Sequence, residues 1–255
     1  YLDIKEGLEI HHDGDLPART GLGSSSSFTV GMLHCLYYLK GTMPGKMQLA
    51  TEAIHIEQNL LKENVGSQDQ VSAAFGGFNL ILFNPDESIQ VKPIAVTRER
   101  LSLLQNHIML YFTGFSRYAS EIAAKQIQNT HKKKHELSTM HQMVAEAIDI
   151  LTDQDGDIGD FGKLLHQSWL LKRGLTDSIT TSQIDEIYQR ALKAGALGGK
   201  IMGAGGGGFM MIFARPEQQP AIAEELKDLL RVPFNFENQG SQLIVYQPNN
   251  LYRQA

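Results

Sequence analysis

The sequence predicts an α+β fold built from two domains. Segments with helical periodicity and short apolar runs typical of strands are mixed in both halves of the chain, which favours this class over all-α or all-β folds. The chain has 255 residues, more than the roughly 100–200 residues of one typical domain. Polar residues 97–106 form the expected junction. We therefore predict one domain over residues 1–100 and a second over residues 101–255.

In the first half, the sequence predicts a strand, three helices and a hairpin. Apolar residues at helical spacing predict the helices. Two apolar runs on either side of an Asn-Pro-Asp turn at residues 84–86 predict the hairpin. In chain order, these elements cover 7–11 (strand), 28–40, 46–63 and 71–75 (helices), and 78–83 and 89–94 (hairpin).

In the second half, long helical patterns follow a first strand. The most glycine-rich stretch of the chain, residues 195–208, then leads into a second strand, and a helix and a strand complete the series. In chain order, these elements cover 108–112 (strand), 119–129, 135–151, 161–171 and 183–194 (helices), 209–213 (strand), 218–230 (helix) and 242–246 (strand).

The composition and charge of the chain exclude several classes of protein. Hydrophobic residues make up 42% and charged residues 20%, which is typical of a folded globular protein. The formal net charge of −5 argues against nonspecific electrostatic binding to nucleic acid or to an anionic membrane. No apolar run approaches the roughly 20 residues of a membrane helix. The single cysteine, Cys35, excludes an internal disulfide and suits a reducing cytosol, so we expect a cytoplasmic protein without nucleic-acid or membrane partners.

A Gly- and Ser-rich loop before the first predicted helix is the first candidate site. Glycines let the backbone approach a ligand closely, and the N–H groups and dipole at a helix start attract anions. Any of the hydroxyls can also ligate a hard cation such as Mg²⁺. The alternative, an N-cap in a serine-rich turn, explains one serine but not four. We therefore predict a phosphate site. Its residues are Gly21, Leu22, Gly23, Ser24, Ser25 and Ser26, with Ser27 as the fourth serine.

Glu57 lies on the apolar side of the predicted helix 46–63. It follows Ala53 by four residues and Ile54 by three, whereas Glu52 falls on the polar side. A carboxylate that faces a core is costly unless it is paired or bound to a metal. Periodicity leaves two interpretations open, a buried ligand and a partly exposed residue at the edge of the stripe.

Residues 66–70, Gly-Ser-Gln-Asp-Gln, contain the next candidate, Asp69. A position at or just inside the start of a short helix is typical of a capping residue, and taken alone this interpretation is favoured. A role as a general base becomes plausible only together with the Gly- and Ser-rich loop and Glu57.

The glycine-rich segment 200–208 contains the pattern GxGxxG at Gly203, Gly205 and Gly208. The dinucleotide motif requires a helix after it, whereas residues 209–213 predict a strand, so a dinucleotide site is not predicted. A flexible hinge is the plain alternative. Four consecutive glycines exceed what a hinge requires, and they favour a close approach of the backbone to a ligand or to another loop.

Two of these motifs resemble those of the GHMP kinase family. The string Pro-x-x-x-Gly-Leu-Gly-Ser-Ser begins at Pro17, and the string Gly-Ala-Gly-Gly-Gly begins at Gly203, three residues after Lys200. Glu57 and Asp69 fall between them, where the family keeps its acidic residues. The resemblance covers nearly the whole chain. Three longer strings are most similar to the D-glycero-D-manno-heptose 7-phosphate 1-kinases of this family: residues 21–31, 66–70 and 111–117.

The resemblance implies a fold and an activity. The implied fold is an N-terminal domain like ribosomal protein S5 domain 2, followed by a ferredoxin-like C-terminal domain. The family's first motif, an N-terminal segment ending in Gly-Gly-Gly-Thr-Asp, is absent, so we expect an incomplete first domain and a chain that is part of a longer protein. The implied activity is phosphorylation of a sugar phosphate by ATP with Mg²⁺, at the anomeric hydroxyl of D-glycero-D-manno-heptose 7-phosphate.

The resemblance also implies roles for individual residues. Residues 21–26 wrap the ATP phosphates, Ser25 and Glu57 hold Mg²⁺, and Asp69 orients or deprotonates the sugar hydroxyl. Residues 203–207, which include Gly205, line the substrate site from the second domain.

A phosphorylated sugar requires a further cation, and an arginine side chain binds phosphate in a bidentate fork. Arg117 is the first candidate because it follows the predicted strand 108–112 and a turn. Arg19, beside the Gly- and Ser-rich loop, is the second, and it stands where many relatives have a small residue. Binding of ATP instead is the alternative role for Arg19. The alternative for Arg117 is an ordinary surface ion pair.

Other functions stay open on the sequence. One is a kinase for another sugar such as fucose or galactose, and a second is a catalytically silent binding protein with the same fold. The presence of Ser25, Glu57 and Asp69 argues against a silent protein. A nucleic-acid binder is disfavoured by the net charge of −5.

Overall fold

The computed structural model describes residues 1–18, 20–115 and 119–247. The described residues divide into two compact units. Unit 1 comprises residues 1–18, 23–77 and 237–247, and unit 2 comprises residues 20–22 and 78–236. Helices and strands occur together in the chain, so the predicted α+β class is confirmed. The boundary near residue 100 stays a prediction.

Unit 1 is built on three helices that pack against one another. They are α1 (Ser24–Leu39), α2 (Lys46–His55) and α3 (Gln68–Phe75), and a π-helical turn (Ile56–Leu60) continues α2. Each helix turns small or branched apolar side chains toward its neighbours, and these side chains are almost fully buried. They are Val30, Leu33, Leu49, Ala50, Ala53, Val71 and Ala74.

A late segment of the chain, residues 237–241, closes unit 1 against the end of α3. The Gly77 N–H donates to the Glu237 carbonyl at 2.9 Å, and the Ser241 N–H donates to the Ala73 carbonyl at 2.8 Å. Gly76 has a φ of 62°, and a Cβ at this position would overlap the backbone of Gly240, so the close approach requires glycine.

Unit 2 contains a hairpin and a four-stranded antiparallel sheet. The hairpin pairs β1 (Asn79–Phe83) with β2 (Ile89–Pro93), as the turn residues between them predict. The strands of the sheet are β3 (Ile108–Phe112), β4 (Gly198–Ile201), β5 (Phe209–Phe213) and β6 (Leu230–Arg231), in the order β4-β5-β3-β6.

Helices cover the sheet of unit 2. One face, which includes Met109 and Ile212, packs on a core with Trp169 and Tyr188, and all four side chains are at most 1% exposed. The other face packs around Phe213. Among the described residues, no helix has the length and apolarity that a bilayer crossing requires. The helices are α4 (Arg98–Asn106), α5 (Ala119–Asn129), α6 (Lys134–Thr152), α7 (Gly159–Arg173), α8 (Ser182–Lys193) and α9 (Gln219–Glu225).

Two predicted strands are wrong. Residues 7–11 and 242–246 form no ladder with any described residue. Their apolar side chains are exposed, Ile10 at 53% and Ile244 at 90%. A strand requires a neighbour for its backbone hydrogen bonds, and neither segment has one among the described residues.

The polar stretch predicted as a junction forms the helix α4. The Thr97 hydroxyl caps the helix by accepting a hydrogen bond from the Arg100 N–H at 3.2 Å. Arg100 is only 4% exposed, and its guanidinium donates to the carbonyls of Ile150 at 2.6 Å and Gly156 at 2.8 Å. Arg100 therefore satisfies carbonyls at and beyond the end of α6 that would otherwise lack donors.

Replacing Arg100 with Met is expected to lower the free energy of unfolding by about 2–4 kcal/mol, because two carbonyls lose charged donors. Chemical denaturation monitored by circular dichroism measures this loss. Arg98 begins the same helix and is exposed, so Arg98→Met is the matched control and should stay within about 0.5 kcal/mol of the parent. Equal stabilities of the two variants would contradict the capping role of Arg100.

Candidate active site

The Gly- and Ser-rich loop ends in the first turn of α1. Gly21 and Gly23 have φ values of 82° and 71°, and Gly23 is the N-cap of the helix. Because the cap is a glycine, it contributes no side-chain hydrogen bond to the N–H groups that begin the helix. The N-cap is thus not a serine, so the capping interpretation does not account for the serines of this loop.

The carboxylate of Glu57 is the centre of a hydrogen-bond cluster at this helix start. The hydroxyls of Ser25 and Thr29 donate to Oε1 at 2.8 Å and 3.3 Å. The Ser26 hydroxyl donates to Oε2 at 2.9 Å, and the Gln70 amide also donates to Oε2. Glu57 is 2% exposed, so of the two positions that periodicity left open, the structure shows the buried one.

The π-helical turn sets the position of Glu57. Glu57 is the second of its five residues, and the next backbone bond, from the Leu61 N–H to the Ile56 carbonyl at 2.9 Å, spans five residues. Such turns insert an extra residue into a helix and occur frequently at functional sites. The predicted helix 46–63 thus ends in a wider turn that carries the buried carboxylate.

The carboxylate and hydroxyl oxygens at Glu57 suit a divalent cation as ligands. The four described partners of the carboxylate are all uncharged, and a buried carboxylate is stabilised most by a positive charge. Carboxylate and hydroxyl oxygens are the hard ligands that Mg²⁺ prefers, and Ser25 is exposed on its outer side. The described residues contain no cluster of three or more His, Cys, Asp and Glu, so a cation here would also rely on ligands from water or substrate.

Asp69 lies beside the same helix start. It is the second residue of α3, whose N-cap is Ser67, so Asp69 does not cap the helix. A Cβ on Gly23 would lie 3.4 Å from the Asp69 carboxylate, which places this partly buried side chain against the N-cap of α1. The consecutive residues Asp69 and Gln70 therefore face Gly23 of the Gly- and Ser-rich loop and Glu57, respectively.

Gln70 and Thr29 belong to the cluster, and sequence reasoning missed both. Gln70 is fully buried, and its Oε1 has no partner among the described residues. Helical spacing in the sequence could have indicated both residues. Gln70 precedes the buried Ala74 by one helical turn, and Thr29 follows Ser25 by one turn, so each lies on an already identified face.

Within unit 2, Gly203 of the glycine-rich segment lies against Gly21, the first residue of the Gly- and Ser-rich loop. Gly203 has a φ of 64°, and a Cβ on it would approach the Gly21 Cα to 2.6 Å. Gly205 packs in the same way on Ile179. The strand β5 follows, so the dinucleotide motif is excluded as predicted. Burial lowers the pKa of the Lys200 amino group on β4.

The two arginines predicted to bind phosphate, Arg19 and Arg117, lie outside the described residues. Their roles stay predictions, as do those of Ser25, Glu57, Asp69 and Gly205.

Comparison with known proteins identifies the family. The model of the GHMP kinases N terminal domain matches residues 1–77, and that of the GHMP kinases C terminal domain matches residues 144–232. A D-glycero-alpha-D-manno-heptose 7-phosphate kinase from Campylobacter jejuni is 31% identical over 226 residues, which are 86% of this chain and 65% of that protein. An L-fucokinase/L-fucose-1-P guanylyltransferase from Bacteroides fragilis is 27% identical over 85% of this chain and 23% of that protein.

A solved structure is similar over most of the chain. The crystal structure of a D-glycero-D-manno-heptose 1-phosphate kinase from Bacteroides thetaiotaomicron matches with a TM-score of 0.70 and 27% identity, over 91% of this chain and 66% of that one. The chain thus spans about two thirds of the length of the two heptose-phosphate kinases. The two matching family models describe the N-terminal and C-terminal domains of the GHMP kinases, and together they cover more than half of the chain. The chain therefore belongs to the GHMP kinase family.

Proposed function

We propose that this chain carries the ATP-binding and catalytic residues of a sugar-phosphate kinase. The observation that carries the proposal is the buried Glu57 carboxylate, which Ser25, Ser26 and Thr29 hold at the start of α1. A buried carboxylate, an exposed hydroxyl and a helix start with a glycine N-cap suit a nucleoside triphosphate with its cation. Membership of the family supports transfer of a phosphoryl group from ATP to an alcohol.

The phosphates of ATP fit the segment 21–26. Gly21 and Gly23 allow the left-handed backbone turns of the loop, and the following N–H groups and helix dipole provide positive potential for an anion. Phosphoryl transfer depends mainly on positioning and on neutralising charge, and a rigid helix start supplies both without covalent help from the protein.

Ser25 and Glu57 are the proposed ligands of Mg²⁺. When bound, the ion neutralises charge on the phosphate oxygens. The chain contributes the orientation of the ligands, since Ser26, Thr29 and Gln70 hold both oxygens of Glu57.

Asp69 is the proposed partner of the acceptor hydroxyl. Its carboxylate accepts a hydrogen bond from this hydroxyl and takes its proton while the sugar oxygen bonds to phosphorus and the bond from phosphorus to ADP breaks. The contact with Gly23 keeps the carboxylate beside the loop that receives the phosphates.

The proposed acceptor is D-glycero-D-manno-heptose 7-phosphate, at its anomeric hydroxyl. Two similar proteins are named heptose-phosphate kinases, and one of them is 31% identical to this chain. A kinase for fucose or galactose is the alternative, and the similar L-fucokinase supports it at 27% identity. Because ATP is the donor, we place the enzyme in the cytoplasm, a reducing compartment that suits the single Cys35.

The test is a substrate panel with the full-length protein. ATP and Mg²⁺ are supplied with heptose 7-phosphate, fucose, galactose and mevalonate, and ADP release is measured. We expect kcat/KM for the heptose phosphate to exceed that for each other acceptor at least about tenfold. Preference for an unphosphorylated sugar would support the alternative, and ATP binding without turnover of any acceptor would support a silent binding protein.

Arg117→Ala tests whether the acceptor's phosphate is bound by this arginine. A bidentate contact with a phosphate is lost, so KM for heptose 7-phosphate should rise about tenfold or more while KM for the unphosphorylated heptose stays unchanged. Steady-state kinetics with both sugars provide the measurement, with Arg19→Ala as the comparison. An equal effect on both sugars, or no effect, would remove Arg117 from the site.

A further inference from the structure

The glycine-rich segment 203–208 requires support from outside its own backbone. Gly203 and Gly205 have φ values of 64° and 114°, and neither residue has a side chain to hold the chain in place. Glycine loses more conformational freedom than any other residue when it becomes ordered. A single conformation of this segment therefore depends on bonds made by its neighbours.

Side chains from two helices bind successive carbonyls of the segment. The ammonium group of Lys172, in the last turn of α7, donates to the Gly203 carbonyl at 2.6 Å. The Gln126 amide, on α5, donates to the Ala204 carbonyl at 2.9 Å. The Lys172 bond is short and charge-assisted, so it is the stronger of the two.

Lys172 is attached to a rigid part of the fold. It follows Trp169 by three residues on α7, and Trp169 is completely buried in the core of unit 2. A donor on an anchored helix can fix the position of a carbonyl, whereas a donor on a mobile loop cannot.

The position of Gly203 determines what space is left for Gly21. A Cβ on Gly203 would come within 2.6 Å of the Gly21 Cα, and one on Gly21 would come within 2.7 Å of the Met202 carbonyl oxygen. The two backbones are thus in direct contact. Gly21 is the first residue of the segment 21–26, the proposed phosphate loop. The position of Gly203 therefore limits where Gly21 can lie.

We propose that Lys172 is a positioning residue for the phosphate loop, acting through Gly203 on Gly21. The ligand named in this inference, ATP, rests on the proposed function. Lys172 itself is not assigned a contact with substrate. Its role is to fix a backbone carbonyl so that the loop is in place before the nucleotide binds, which avoids the cost of ordering it on binding.

The experiment compares Lys172→Met with Lys163→Met in the full-length protein. Lys163 lies on the same helix, is exposed and pairs with Asp160 at 2.7 Å, so its loss controls for removing a lysine from α7. Calorimetry with ATP and Mg²⁺ should give a Kd about tenfold higher for Lys172→Met and unchanged for Lys163→Met. KM for the acceptor should not change. Lys172→Arg, which keeps a charged donor, should recover most of the affinity.

A second readout does not depend on kinase activity. In the ligand-free protein, hydrogen exchange of the amides in residues 20–22 and 203–206 should be faster in Lys172→Met than in the wild type or in Lys163→Met. If the wild type fails to bind ATP, the proposed function fails, and the exchange measurement still decides the role of Lys172.

Two results would overturn the inference. One is a Lys172→Met variant with wild-type exchange in both segments. The other is a lower Tm without any change in ATP affinity or in hydrogen exchange of the two segments. Such a result would mean that Lys172 stabilises the fold as a whole and does not position the loop. Should Lys172→Met fail to fold, Gln126→Leu provides the same comparison through the neighbouring carbonyl, with a smaller increase in Kd expected.

Discussion

Replacing Asp69 with Asn is expected to lower kcat by about 10²–10⁴, the usual contribution of a positioned general base. The amide has nearly the shape of the carboxylate, so the packing against Gly23 is kept. It cannot take the proton of the acceptor hydroxyl, and this loss affects the chemical step. The affinity for ATP should change by less than about threefold, because the proposed partner of Asp69 is the acceptor hydroxyl rather than the nucleotide.

Pre-steady-state and steady-state kinetics with saturating ATP provide the measurement. Glu63→Gln is a suitable control, since it neutralises an exposed carboxylate just after the π-helical turn and should leave kcat unchanged. A decrease of less than tenfold for Asp69→Asn would reduce Asp69 to a structural residue of the first turn of α3.

Replacing Glu57 with Gln is expected to lower Mg²⁺-dependent turnover by about 10²–10³-fold, because the proposed metal site loses its negative charge. The fold should tolerate the change. Hydroxyl groups can rotate to accept hydrogen bonds, and Gln70 can turn its amide so that Oε1, which has no described partner, accepts from the new amide. The effect on turnover can therefore be measured in a folded protein, separately from any effect on stability.

Thermal unfolding with and without Mg²⁺ measures the metal site independently of activity. Binding to the folded state raises Tm, so Mg²⁺ should stabilise the wild type and have little effect on Glu57→Gln. Glu52→Gln is the matched control on α2, where the carboxylate accepts from the Tyr37 hydroxyl at 2.6 Å and has no part in the cluster. An equal response of wild type and Glu57→Gln to Mg²⁺ would exclude Glu57 as a ligand.

Local sequence patterns predicted most of the elements and the general nature of the site. The hairpin β1–β2, the strands β3 and β5 and the helices α5 to α8 occur close to their predicted positions, because apolar spacing and turn residues act over a few residues. The two-domain GHMP architecture inferred from the glycine motifs is confirmed by the two family models. Burial of Glu57 was one of two possibilities, and only packing could decide between them.

Other features depend on contacts between distant parts of the chain. In the sequence, Lys172 is a positive charge near the end of a predicted helix, which is favourable by itself. The residues around Lys172 do not indicate that its side chain contacts Gly203. Arg100 looks like part of a polar connection, yet it is buried because its partners are carbonyls about 50 residues away. Residues 242–246 have strand-forming composition, but a strand exists only where a neighbouring strand is in reach.

The closure of α3 by residues 237–241 has a consequence for the order in which the protein is made. These residues leave the ribosome about 160 residues after Gly77, which at about 5–20 residues per second is a delay of roughly 10–30 seconds. Until then the end of the helix that carries Asp69 and Gln70 lacks its last backbone partners, although unit 2 is already complete in sequence. A translation product that ends before residue 237 therefore contains the whole of α3 but lacks the two backbone hydrogen bonds that close its end.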